Sequence, residues 1–286
     1  MIIANRHIGP DHAPFAIAEL GLNHAGSLAC AIDMVEAAHR AGASCVKLQT
    51  HCEDEFSDIP AYPGNAGGES IQDFVRRCSL SEADERAVFD YARDIGIICI
   101  STPFSPRAVE RLERLGVPAY KAGSGQLRDL PLLRMLAATG KPLILSTGMA
   151  NDDAIRAAYH ATYTNKECRK QQAWLHCTSE YPTPFDHVRL GAVGEMPGEV
   201  YGLSDHTGTI WPSLGAVALG ASILECHFRI PSCPDGPDIP VSIDEAQLAQ
   251  LVEGANAIWE CRGGTKDILP GEAETLEWFT ASRRKA

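Results

Sequence analysis

No apolar run in the 286 residues approaches the roughly 20 that a membrane span requires. The chain does not open on a secretory leader either: MIIANRHIGPDHAP sets a His, a Pro and charges where such a leader is apolar. These absences predict a soluble, cytoplasmic protein with no membrane partner. Positive charge is scarce too, 25 Lys and Arg against 37 Asp and Glu, and a formal net charge of −12 repels nucleic acid as well as anionic membranes. A small anion remains admissible where cations gather in one cleft. No GxGxxG follows the first apolar run, so the phosphate-binding turn of a dinucleotide fold is missing. Ten cysteines would suit a disulfide framework in a small secreted chain, but here they are scattered through apolar runs such as Ile98-Cys99-Ile100 and Leu175-His176-Cys177. The expectation is buried free thiols. Cys226-His227 with Cys233 has no second close pair and supports structural zinc only weakly.

What is present is a repeat. With 45% hydrophobic residues the chain can fill one large core, and strand-length apolar runs alternate with helical patterns as consecutive βα units do. The runs are Phe15–Glu19, Cys45–Gln49, Ile98–Ser101, Ala119–Ala122, Pro142–Ser146, Ala173–Thr178, Val200–Ser204 and Ser222–Cys226. Between them, Ala31–Arg40, Ser81–Ile95, Arg107–Leu115 and Leu130–Thr139 read as helices, closing on Gly42, Gly96, Gly116 and Gly140, which suit the left-handed residue at a helix end. Several runs are apolar at consecutive positions, as parallel strands covered on both faces require. The prediction is an α/β fold, a single (β/α)8 TIM barrel over residues 1–286, with 1–14 as an N-terminal extension and 263–286 as a C-terminal tail. The long irregular stretch His51–Glu69 is placed as an active-site lid.

In such a barrel the polar residues at the carboxyl ends of the strands converge on one mouth. Here they are Glu19, Asn23 and His24; Lys47 and Gln49; Ser101 and Thr102; Lys121 and Ser124; Ser146 and Thr147; Thr178, Ser179 and Tyr181; Ser204, Asp205 and His206; Glu225 and His227. Two lysines among hydroxyls and amides form a receptacle for a phosphate and a carboxylate on one small molecule, which fits phosphoenolpyruvate. The bland alternative has Lys47 and Lys121 snorkelling from the rim to water. His206 and His227 end neighbouring strands, beside Asp205 and Glu225, so both imidazoles can meet at one ion. Two nitrogens with open positions suit a divalent metal of the manganese type, with Mg2+ or Co2+ as alternatives.

The motifs IAELGLNHAGS, VKLQT, PGNA before RCSLSE, ISTPFS, PAYKAGSG, GKPLILSTGM, LHCTSEYPTP, GLSDHT, ALGASILECHF and GPDI follow one another from about Ala16 to Glu272. In that order they resemble the sialic acid synthase family, which makes nonulosonates from phosphoenolpyruvate and an N-acylated hexosamine. The resemblance implies that Lys47, Asn65, Thr102, Lys121, Ser124, Ser146 and Ser204 surround phosphoenolpyruvate, with Ser179 among the substrate-binding positions. It puts His206 and His227 on manganese, and sets Glu19, Gln49, Tyr181 and Asp238 against the sugar. Lys121, Glu19, Gln126, Tyr181 and Asp238 are the candidate catalytic positions. After PAYKAGSG the family usually has an acid where this chain has Gln126, and an amide positions water but does not take its proton. Members commonly continue into a small antifreeze-like domain that reaches the partner's barrel in a homodimer. The sequence stops at Ala286, so the expectation is a changed acceptor, with a separate polypeptide or a rearranged His51–Glu69 loop as the alternative source of the missing contact. The rival functions are a related phosphoenolpyruvate synthase with a different aldehyde, and a non-catalytic barrel subunit.

Overall fold

A strand buried on both faces needs apolar residues pointing both ways, and a barrel sorts them: one parity faces the lumen, the other the helices. The computed structural model describes residues 1–52, 70–163, 168, 170–233 and 236–283. A short antiparallel hairpin, β1 (Ile2–Ile3) and β2 (Arg6–His7), precedes eight parallel strands: β3 (Phe15–Gly21), β4 (Cys45–Thr50), β5 (Ile98–Pro103), β6 (Tyr120–Ala122), β7 (Leu143–Ser146), β8 (Gln172–Cys177), β9 (Tyr201–Asp205) and β10 (Ile223–His227). They close in chain order, with β10 pairing β3. This is the predicted (β/α)8 barrel, and every predicted run overlaps its strand.

The described helices are α1 (Leu28–Arg40), α2 (Ile71–Cys78), α3 (Glu82–Ile95), α4 (Pro106–Leu115), α5 (Leu130–Ala138), α6 (Asp152–Thr162), α7 (Trp211–Ala218), α8 (Glu245–Cys261) and α9 (Pro270–Arg283). Their ends follow local chemistry. Ser81 caps α3 by accepting from the Asp84 amide, and Ser105 caps α4 with Pro106 at its first turn. Gly96 and Gly116 close the same two helices in the left-handed conformation, as predicted. Toward the barrel, α1 buries Ala31, Met34, Val35 and Ala38, a stripe at helical spacing, against outward strand residues such as Ala18, Val46 and Leu48.

Lumen packing forms a separate core. Phe15, Ile17, Cys45, Ile100, Ile144, Leu175 and Ile223 fill the amino-terminal layers. The stretch predicted as an extension closes that end: Ile3 and Ile8 pack into the same cluster at 0% and 2% exposure, and the chain turns between β1 and β2 at Ala4 and Asn5, both with positive φ. The tail predicted for 263–286 carries α9, whose described residues are all outside the core, with Trp278 and Phe279 exposed.

One cysteine expectation is corrected. Cys30 and Cys233 are joined as a disulfide across 203 residues of sequence, a pairing that only the closed barrel brings together. Cys233 therefore leaves the weak zinc constellation. Cys45, Cys99, Cys177 and Cys226 are buried free thiols as expected, Cys52 and Cys78 are buried too, and Cys261 is exposed. The His51–Glu69 lid falls almost wholly outside the described residues, as does Asn65.

Candidate active site

Strand alternation that puts Phe15 and Ile17 in the lower lumen puts Glu19 in its upper layer, and the same parity delivers Lys47 and Gln49 from β4, Thr102 from β5, Lys121 from β6, Ser146 from β7, Ser204 from β9 and His227 from β10. They line a cavity of about 570 Å³ at the carboxyl mouth. Ser124 and Gln126 join from a 3-10 turn after β6, Ser179 and Tyr181 from the loop after β8, His206 from the end of β9, and Asp238 from the loop after β10. Every residue put forward as catalytic, substrate-binding or metal-ligating within the described part of the chain therefore reaches one cavity.

The floor holds two cation–carboxylate pairs. Lys47 Nζ lies 2.6 Å from Glu19 Oε2 and donates to Thr102 Oγ1 at 3.1 Å. Lys121 Nζ donates to Ser146 Oγ at 2.6 Å and lies 3.7 Å from Glu225 Oε1, which accepts from Ser204 Oγ at 2.9 Å. At 4% and 1% exposure, Lys47 and Lys121 are not snorkelling side chains. Burial opposes the charge on Lys47, but Glu19 and Glu225 outweigh it and raise the pKa; on Lys121 burial wins and lowers it. Glu225 resists its own burial because Lys121 and Lys47 flank it, and its carboxyl falls to about 2.

Above this floor the two histidine rings stand 5.3 Å apart between centroids. His206 Nδ1 is held by the Thr178 carbonyl at 2.8 Å, which turns Nε2 toward the Tyr181 hydroxyl 3.1 Å away; the tyrosine ring stacks on His206 with centroids 4.2 Å apart. Burial opposes protonation of His206, yet Cys177 beside it raises the pKa to about 9, and His206 in turn brings the Cys177 thiol down to about 7 against the effect of burial. His227 Nδ1 is buried without a hydrogen-bond partner and lies 3.4 Å from Asp238 Oδ2.

Backbone detail brings these groups together. Gly21 has φ +53, and a Cβ there would come 2.9 Å from Asp238 Oδ2. A Cβ at Gly148 would collide with Ser124 Oγ and Ser179 Oγ, so only glycine lets those two hydroxyls converge. Gln126 is buried with Oε1 lacking a protein partner.

Several strand-end residues sit elsewhere than the sequence pattern suggests: Ser101 bonds Thr50 Oγ1, Thr147 and Thr178 donate to the Leu175 and His187 carbonyls, and none of the three, nor His24, lines the cavity. Asp205 has the outward parity of β9 and accepts from the Thr207 amide at 2.9 Å, so it faces the helices and not the histidine pair. Glu225 lies beneath His227 among the lysines. Asn23 braces the loop after β10, donating to Phe228 O and Ser242 Oγ and accepting from the Asp238 amide, each at 2.9 Å. Unforeseen in the lining are Cys177, which shares the inward parity of β8 but reads as one more core thiol, and the apolar residues of α2.

The sequence profile described as the NeuB family matches residues 34–267. The chain belongs to the NeuB family. It is 35% identical to the N,N'-diacetyllegionaminic acid synthase of Campylobacter jejuni over 91% of this chain and 81% of that one. It is 32% identical to the human N-acetylneuraminate-9-phosphate synthase over 93% of this chain and 76% of that one. Among solved structures, the N-acetylneuraminic acid synthetase of Leptospira borgpetersenii, in complex with citrate, superposes with a TM-score of 0.87 at 28% identity, covering 99% of this chain and 97% of that one. Within this family the chain is a synthase-type barrel of carbohydrate biosynthesis, as its relatives are. Among the described residues no helix is long and apolar enough to cross a membrane.

Proposed function

We propose that this NeuB-family chain condenses phosphoenolpyruvate with an open-chain sugar aldehyde of the N-acylhexosamine kind, giving a nonulosonate-type 2-keto acid and inorganic phosphate. The observation that carries the reading is the buried pair Lys47 and Lys121, set among Thr102, Ser146 and Ser204, in one cavity with two imidazoles whose centroids stand 5.3 Å apart. A molecule bearing a phosphate ester and a carboxylate on the same carbon needs two desolvated cations a few ångströms apart. Relatives named as legionaminic and pseudaminic acid synthases support the product class.

The donor set fits a divalent metal ion. His206 has one ring nitrogen fixed by a carbonyl and the other facing the cavity, and His227 has a buried nitrogen with no hydrogen-bond partner. Among the described residues no cluster of three or more His, Cys, Asp or Glu is arranged around a metal position, so His206 and His227 would hold it with water and substrate oxygens completing the shell. Manganese suits this nitrogen-poor, open set, with Mg2+ or Co2+ as alternatives. When bound, such an ion supplies Lewis-acid polarisation of an aldehyde oxygen.

The protein's own residues account for the rest. Lys47 and Lys121 bind and orient the phosphate and carboxylate, and Glu19, Gln49, Tyr181 and Asp238 meet the sugar hydroxyls. The enol carbon attacks the aldehyde carbon, whose oxygen takes a proton to become a hydroxyl. Water adds at the carbon bearing the phosphate ester and gives up its protons as the keto group forms, one replacing that taken by the new hydroxyl and one leaving with phosphate as the C–O bond breaks. Gln126 Oε1 accepts a hydrogen bond from that water and positions it, while Glu19 or the departing phosphate takes its proton. A cytoplasmic homodimer is the assembly proposed with this reading. Phosphate release from phosphoenolpyruvate, manganese and a panel of N-acylhexosamines tests it: release that depends on both metal and sugar is expected. No release with any aldehyde would favour a non-catalytic barrel.

A further inference from the structure

The cavity changes character from floor to rim. Its floor holds the paired charges of Lys47, Glu19, Lys121 and Glu225, but on the β4–β5 side the lining is hydrocarbon: Ile71, Phe74 and Val75 of α2, with Phe104 beyond β5. Spacing of i, i+3 and i+4 puts the three α2 side chains on one stripe, and Ser70 fixes the helix start by accepting from the Asp73 amide. This wall is continuous with the polar group proposed to meet the sugar. The Phe104 ring stacks on His51 at 4.0 Å, His51 Nε2 lies 3.3 Å from Gln49 Oε1, and Gln49 Nε2 donates to Glu19 at 2.8 Å.

Cations are absent from the wall. Lys47 and Lys121 are the only Lys or Arg among the described lining residues, and both are on the floor. Arg76 pairs with Asp73 at 2.6 Å, Arg77 lies 5.6 Å from the Phe74 ring centroid, and Arg128 donates to the Met149 carbonyl at 3.3 Å; none of the three lines the cavity. The sequence from 53 to 69 adds none: it has acids at Glu53, Asp54, Glu55, Asp58 and Glu69 and no Lys or Arg. A phosphomonoester seated here would be a desolvated dianion against hydrocarbon, with no charged donor to meet it.

We infer that the α2 wall selects the acceptor, taking a neutral hydrocarbon substituent of the sugar and rejecting a phosphorylated one. The inference rests on the condensation reading above. Two sources supply that chemistry, an acyl chain or a deoxygenated terminal carbon. They are separated by measuring kcat/KM, with phosphoenolpyruvate and manganese, for N-acetylmannosamine, its 6-phosphate, its 6-deoxy analogue and its N-butanoyl analogue. The 6-phosphate should fall about tenfold or more below the parent sugar. One of the two hydrocarbon-rich analogues should exceed the parent severalfold, and for the butanoyl chain, which adds two methylenes, the gain is about fourfold for each one buried. Phe74→Ala should remove that gain, and Phe74→Lys should raise use of the 6-phosphate relative to the parent. A native preference for the 6-phosphate, or discrimination unchanged in both Phe74 variants, overturns the inference while leaving condensation standing. Absence of phosphate release with all four sugars overturns the condensation reading, and the inference with it.

Discussion

Neutralising Lys121 tests whether the floor is a set of interdependent charges. The Nζ donates to Ser146 Oγ and the Ala122 carbonyl at 2.6 and 3.2 Å and lies 3.7 Å from Glu225 Oε1. At an effective dielectric of about 20, a pair at that distance is worth roughly 4 kcal/mol. Glu225 agrees in sign: burial alone would raise its carboxyl, yet Lys121 and then Lys47, with Ser204 and His227 adding to them, hold it down to about 2. Lys121→Met strands a buried carboxylate and should cost roughly 3–5 kcal/mol, a fall of about 6–12 °C or more in Tm. Glu225→Gln should cost about as much. The double variant leaves neither charge alone, and should be less destabilised than the sum of the singles by about 2 kcal/mol or more. Urea unfolding of the four proteins at pH 7 measures this cycle. The folded pKa of Glu225 is lowered, so its contribution is complete above about pH 4.5 and disappears as pH falls through about 2. Singles that add to within about 0.5 kcal/mol would refute the coupling.

His206→Ala and His227→Ala should each weaken manganese binding by at least about tenfold with the fold retained; wild-type-like titration of both by calorimetry would remove the pair as a metal site. Gln126→Glu adds negative charge beside phosphate and should lower, or fail to raise, the rate of phosphate release; a large gain would show the native chain to be catalytically impaired. Cys30→Ser opens a loop spanning 203 residues, for which chain entropy sets an upper loss of roughly 5 kcal/mol. The loop after β10 carries both Cys233 and Asp238, so the same variant should raise KM for the sugar more than for phosphoenolpyruvate. Equal Tm with and without reductant would argue against the bond.

Which parts of this molecule were readable in one dimension follows from the range of the forces involved. Strands covered on both faces must be apolar at successive positions, and helix ends need a serine, an aspartate or a left-handed glycine within a residue or two, so the βα repeat and caps such as Ser105 and Gly116 are local signals. The Cys30–Cys233 bond is not local, since neither cysteine has a neighbour that marks it. The β1–β2 hairpin has no such signal, because each strand has two residues and two residues show no period. Residues 71–78 follow a stretch rich in Pro and Gly, and their apolar stripe is one turn and a half long, too short to separate from a loop.

Within the site, the harder question was parity, because one residue's displacement along a strand reverses the face it serves. Ser204 and Asp205 are both polar and adjacent, and only the closed sheet shows that the first enters the lumen while the second bonds the Thr207 amide outside it. Glu225 and His227 share a face, yet the rise of one strand repeat puts the carboxylate with Lys121 and the imidazole with Asp238. That separation decides the electrostatics. Glu19 and Glu225 already cancel Lys47 and Lys121 in the floor, so an incoming phosphate and carboxylate meet no net positive charge from those four residues. The remaining attraction has to come from the histidine layer above, where the Asp238 carboxylate favours a bound cation and opposes a substrate anion placed beside it. An amide at Gln126 keeps a further negative charge out of this balance, and its buried Oε1, unpaired within the protein, is left for a donor brought in by water or substrate.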